Sequence, residues 1–204
     1  WLRDTLCGEE VKEAEATGQN AFDLMNKAVA ESVPGANGVV FLPFLQGSGY
    51  PHWMFNSKGV FAGIKFSTTR NDIIRAVMEG ITLEARDMYE AVVKSGVKLN
   101  SLVMSGGAAN SSLWRQMVAD IFDCDVKALA ISDAANVAAA ILGGVAVGVF
   151  NDAKEGVDRM VRFSEVTHPI PENVERYKQV YKVYQQMVKA ARDGGMFDAL
   201  STLD

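Results

Sequence analysis

Apolar positions along the chain change period repeatedly, and each change marks an element. Phe22, Met25 and Val29 recur at helical spacing behind Asn20, with Asp23 three residues on, until Val33-Pro34-Gly35 stops the pattern. Val39 to Leu42 is a bare apolar run suited to a buried strand, and Val60 to Ile64 reads as the next. Between them Gly47, Gly49, Pro51 and Gly59 punctuate an irregular loop longer than most connections. Thr69 and Asp72 then cap a long helix whose Ile73, Val77, Ile81, Met88 and Val92 form an apolar stripe ending before Gly96.

The second half alternates strand and helix. Ser101 to Ser105 predicts a strand running into Gly106-Gly107, and a helix begins near Ser111 or Ser112 with Trp114, Met117 and Ile121 on one face. Val126 to Ile131 predicts another strand, and Asp133 to Phe150 an alanine- and glycine-rich helix. Pro169 and Pro171 lead into a last helix with Val174, Tyr177, Tyr181, Tyr184 and Val188 in a narrow stripe near heptad spacing, read as a packing arm. This order favours an α/β layer architecture.

A length of 204 residues allows one sizeable core, or one domain with an appendage, so one core is expected. Hydrophobic residues at 49% and charged residues at 22% fit a compact globular chain. The net charge of -5, with no run of either sign, offers no footprint for nucleic acid or an anionic membrane. The longest apolar run, Val137 to Phe150, is broken by Gly143, Gly144 and Gly148 and is too short to span a bilayer. Cys7 and Cys124 lack metal-ligand spacing, which fits inert thiols in a reducing cytoplasm. The chain opens at Trp1 without an initiator methionine, so further sequence is expected upstream.

Chemistry concentrates in Met104-Ser105-Gly106-Gly107-Ala108-Ala109-Asn110-Ser111. Small side chains there let a ligand approach the backbone, and amides at the following helix start can hold an anion or a polar ring. Glycines also serve plain strand-to-helix turns, so the motif alone leaves both readings open. His52 and Trp53 read as local packing, with aromatic contact to a sugar as the alternative. Arg75 and Glu79 read as a solvated face or a fixed ion pair, with lining of an interdomain cleft as the alternative, and Asp133 as a helix cap.

Three stretches in fixed order add a resemblance. They are Leu42-Pro43-Phe44-Leu45 with Gly47, Pro51-His52-Trp53 and Lys58-Gly59-Val60-Phe61; then Arg75-Ala76-Val77-Met78-Glu79-Gly80-Ile81; then Ser105-Gly106-Gly107-Ala108 through Leu113-Trp114-Arg115-Gln116-Met117-Val118-Ala119-Asp120. Together they resemble the C-terminal half of an FGGY carbohydrate kinase of the xylulose kinase-like branch, and the likeness runs from Trp1-Leu2-Arg3-Asp4 to the tyrosine-rich helix. Three departures stand out. Ala108 occupies the place of a third glycine, Asp133-Ala134-Ala135-Asn136 replaces a Glu-Ala-Ala-Ala pattern, and Gln46-Gly47-Ser48-Gly49-Tyr50 replaces Gly-Glu-Arg-Thr.

The resemblance implies an α/β, ribonuclease H-like (actin-like ATPase) fold, a mixed sheet flanked by helices lacking its upstream strands. Residues 1–204 would be a partial, nucleotide-side C-terminal domain, with Gly106, Gly107, Ala108 and Ser111 contacting ATP. The sugar-binding N-terminal domain of the same protein would carry the catalytic base and the Mg2+ ligands, so no catalytic or metal residue is assigned here. The implied activity is ATP-dependent phosphorylation of xylulose or a related ketopentose. Alternatives are a kinase for glycerol, gluconate or another polyol, or a non-catalytic nucleotide-binding regulatory module. A homodimer is a further option; nucleic acid and membrane are not expected partners.

Overall fold

The computed structural model describes residues 1–97, 102–131 and 133–203. In place of one core, the chain forms two compact units, Trp1–Lys98 with Ile170–Asp204, and Leu99–Pro169.

The first unit opens with two helices not predicted by periodicity, α1 (Leu2–Leu6) and α2 (Gly8–Thr17), followed by α3 (Ala21–Ala30). Asn20 caps α3 through its side-chain oxygen, which accepts from Phe22 N at 2.9 Å. The expected strands appear in shortened form as β1 (Val40–Leu42) and β2 (Val60–Ala62), paired antiparallel with Phe41 opposite Phe61. Helix α4 (Arg70–Lys94) starts with the predicted capping box: Thr69 accepts from Asp72 N while the Asp72 carboxylate accepts from Thr69 N. Its buried face differs from the predicted stripe. Ile81 and Met88 are exposed, whereas Ile74, Ala76, Met78, Gly80 and Leu83 are buried along with Asp72, Arg75 and Glu79. Gly80 marks the contact with β1, since a Cβ there would lie 2.4 Å from the Phe41 carbonyl oxygen. Helix α8 (Pro171–Asp193) carries Pro171 in its first turn and buries Val174, Tyr177, Tyr184 and Val188, as a packing arm should. A short α9 (Met196–Ser201) follows it.

The second unit holds a mixed sheet. Strand β3 (Leu102–Met104) runs parallel to β4 (Val126–Leu129), which pairs antiparallel with β5 (Phe163–Thr167). Ser101, the predicted start of the first of these, lies outside the described residues. Helix α5 (Ser112–Phe122) connects β3 to β4 and buries Met117, Ala119 and Ile121. The predicted Asp133 to Phe150 helix is shorter: α6 (Ala134–Ala146) ends before Gly148, whose φ of 77° turns the chain. Phe150 then folds back on Gly144, where a Cβ would approach its ring to 2.6 Å, and α7 (Ala153–Met160) begins.

Candidate functional site

The glycine turn sits where β3 ends, within the second unit. Gly106 has φ 75° and ψ −171°, a region that essentially only glycine occupies. Residues Gly107–Asn110 then make one 3-10 turn, with Ala109 N bonded to Gly106 O at 3.1 Å and Ser111 N to Ala108 O at 3.2 Å. Arg115, itself buried, donates from Nη1 to Ala109 O at 2.6 Å and fixes the turn from beneath. Over the turn the space is open. A Cβ built on Gly106 or Gly107 meets no atom within 4 Å.

Gly106, Gly107, Ala108 and Ser111 are thus brought together in one turn. The Ser111 side chain, however, is engaged as the N-cap of α5, accepting from Trp114 N at 3.1 Å. What that side chain does in the fold is set the start of the helix. Because Met104 and Ala128 are in parallel register, β3 and β4 both deliver their carboxyl ends to this edge, where ligands of open α/β sheets bind. At the end of β4, Asp133 accepts from Asn136 N at 3.1 Å and caps α6 as expected. Near α6 and α7 lies a hollow of about 320 Å³ lined by Leu129, Ile131, Val137, Ile141, Val157 and Met160. That lining is nearly all aliphatic, without the convergent polar groups that orient a ligand. Among the described residues no group of three His, Cys, Asp or Glu side chains is placed to hold a metal ion.

His52 and Trp53 belong to the first unit, and the structure separates them. His52 is nearly buried, its Nε2 2.9 Å from Asp87 Oδ2, and so is a packing residue. Trp53 is 63% exposed. Burial works against charge on Asp87, but bonds from His52, Tyr181 and Gln185 outweigh it and hold the carboxyl below its ordinary range. Tyr181 donates to Asp87 Oδ1 at 2.5 Å and Gln185 at 3.1 Å. Sequence reasoning missed Asp87, because its partners lie 35 to 98 residues away along the chain.

Residues 1–147 match the family described as FGGY family of carbohydrate kinases, C-terminal domain. A xylulose kinase of Staphylococcus epidermidis is 34% identical over 192 residues, which cover 94% of this chain and 37% of that protein. A glycerol kinase of Alkaliphilus oremlandii is 32% identical over 192 residues, 94% of this chain and 36% of that one. Among solved structures, ligand-bound xylulose kinase from Lactobacillus acidophilus superposes with a TM-score of 0.80 at 24% identity, covering 94% of this chain and 37% of that chain, a likeness of fold. The chain spans a little over a third of the length of the curated relatives it matches.

Proposed function

The chain belongs to the FGGY family of carbohydrate kinases, and from that premise we propose that the protein carrying it transfers the γ-phosphoryl group of ATP to a sugar hydroxyl, with xylulose or a related ketopentose as substrate. The observation that carries the reading is the uncovered turn at Gly106-Gly107, opening into α5 at the carboxyl edge of the parallel pair. ATP binds there. Adenosine and the inner phosphates lie against the backbone of Gly106, Gly107 and Ala108, and the start of α5, set by the Ser111 cap, favours their negative charge.

In this proposal the chain is one jaw of the enzyme and binds, orients and shields the nucleotide. Phosphoryl transfer depends on in-line positioning and electrostatic stabilisation. The base that deprotonates the sugar, and the carboxylates for the Mg2+ that would neutralise phosphate charge, belong to sequence beyond this chain. The 204 residues alone therefore bind nucleotide without sugar-dependent turnover. The xylulose assignment is supported by the 34% identical relative, and a cytoplasmic place of action by two free thiols without metal-ligand spacing. A panel of xylulose, glycerol and gluconate with the full-length protein, read by ATP consumption, tests both parts. Turnover with xylulose is expected; turnover only with another polyol would replace the substrate, and none with any sugar would remove the activity.

A further inference from the structure

We infer that Trp53 is a sugar-contacting residue that selects for a neutral sugar, mounted on a rigid loop for that purpose; the inference rests on the kinase reading above. Trp53 has φ 53°, a left-handed conformation that bulky side chains rarely adopt and that persists only when its surroundings impose it. Here they do. Trp53 N and His52 N both bond to Gly49 O, at 2.7 and 2.9 Å, and Ser48 and Met54 exchange two backbone bonds of 2.8 Å. Gly47 lies so close that a Cβ would sit 2.7 Å from the Phe55 carbonyl oxygen. Outside the hairpin, His52 is tied to Asp87, and Asn56 Nδ2 donates to Asp198 Oδ1 at 2.6 Å.

All this restraint holds an indole out into solvent. Trp53 is 63% exposed, with Tyr50 edge-on at 6.4 Å and Phe55 at 6.1 Å between ring centroids, both exposed themselves. The chemistry of the platform narrows its ligand. From Pro43 to Ser57 there is no Asp, Glu, Lys or Arg, and the His52 ring faces Asp87. The run itself supplies no positive charge with which to attract a phosphate or carboxylate, and the charged groups bonded to it, Asp87 and Asp198, are both acidic. The surface offers flat apolar rings with neutral polar tips, which suit the C–H face of an uncharged sugar whose hydroxyls stay hydrated. An aldonate, carrying a full charge, gains nothing there.

The test is calorimetric titration of the full-length protein and of Trp53→Asn and Trp53→Phe with xylulose, gluconate and ATP. Asparagine tolerates the left-handed backbone, so the first variant removes the indole without changing the turn. Trp53→Asn is expected to weaken xylulose binding about fivefold or more, Trp53→Phe much less, with ATP affinity unchanged. Unchanged xylulose affinity in folded Trp53→Asn overturns the inference. So does equal loss of ATP affinity, which would mark a base-stacking surface, or a wild type that prefers gluconate or binds neither sugar. Turnover measured alongside judges the kinase reading separately: binding that depends on Trp53 without phosphate transfer removes that reading alone.

Discussion

Arg75 Nε donates to Glu79 Oε1 at 2.7 Å, one turn further along α4, and the two side chains are only 9% and 1% exposed. Arg75 also donates to Ser32 O at 2.7 Å and to the Tyr177 hydroxyl at 2.9 Å; that hydroxyl and Gly35 N in turn donate to Glu79. Burial pushes the Glu79 carboxyl up while Arg75 and its other donors pull it down. Removing the arginine strands a buried carboxylate. Arg75→Met is predicted to cost about 3–5 kcal/mol in urea unfolding, and adding Glu79→Leu to recover a large part of that, because the desolvated charge is then gone.

This pair also shows what the sequence could and could not reveal. Spacing of Arg75 and Glu79 suggested a helix-surface pair or a fixed ion pair, and nothing local separates the two. What buries them is Tyr177 on α8 and the 32–35 turn, contacts set by tertiary packing. Start signals were local and therefore legible: Asn20, Thr69 and Asp133 all cap as their side-chain chemistry dictates. Strand β5 was invisible because Phe-Ser-Glu-Val-Thr has no sustained alternation and exists through its pairing with β4. At the site, the glycines announced the turn, but the diversion of the Ser111 hydroxyl into the cap could be seen only in three dimensions.

Asp72 makes stability depend on acid. Burial opposes its charge, yet bonds from Ser32, the Thr69 amide and hydroxyl, and Asn37 prevail and lower its carboxyl to about 2. An unfolded aspartate titrates near about 3.9. The stabilisation is therefore complete above that value and is lost as pH falls from about 4 through about 2, a change on the order of 2 kcal/mol. Urea unfolding across this window should show the slope in wild type and a weaker slope in Asp72→Asn.

Gly80 is where α4 meets the backbone of β1. A methyl group there must displace either element, since its carbon would begin 2.4 Å from Phe41 O. Gly80→Ala is predicted to cost about 1–3 kcal/mol despite alanine's better helix propensity, read as a lower Tm.

Strand β3 has one partner among the described residues, β4, and its central Val103 is 48% exposed. Leu102, Val103 and Met104 carry no charge to discourage pairing with another strand. The 204-residue chain is predicted to self-associate at micromolar concentrations in sedimentation, and Val103→Lys to reduce this. A monomer throughout that range would remove the prediction.

The glycine turn carries the central claim, and ATP titration into the full-length Gly107→Val protein tests it most directly. A Cβ at Gly107 meets nothing within 4 Å, so the substitution should leave folding intact and intrude only on what binds above the turn. Phe61→Ala is the control: its ring packs on Phe41 at 4.3 Å, so truncation should lower thermal stability without a selective loss of nucleotide affinity. Calorimetry is predicted to show ATP binding to Gly107→Val weakened by on the order of 2 kcal/mol, with sugar binding nearly unchanged. Undiminished ATP affinity in a well-folded Gly107→Val protein would contradict the account and move the nucleotide site elsewhere.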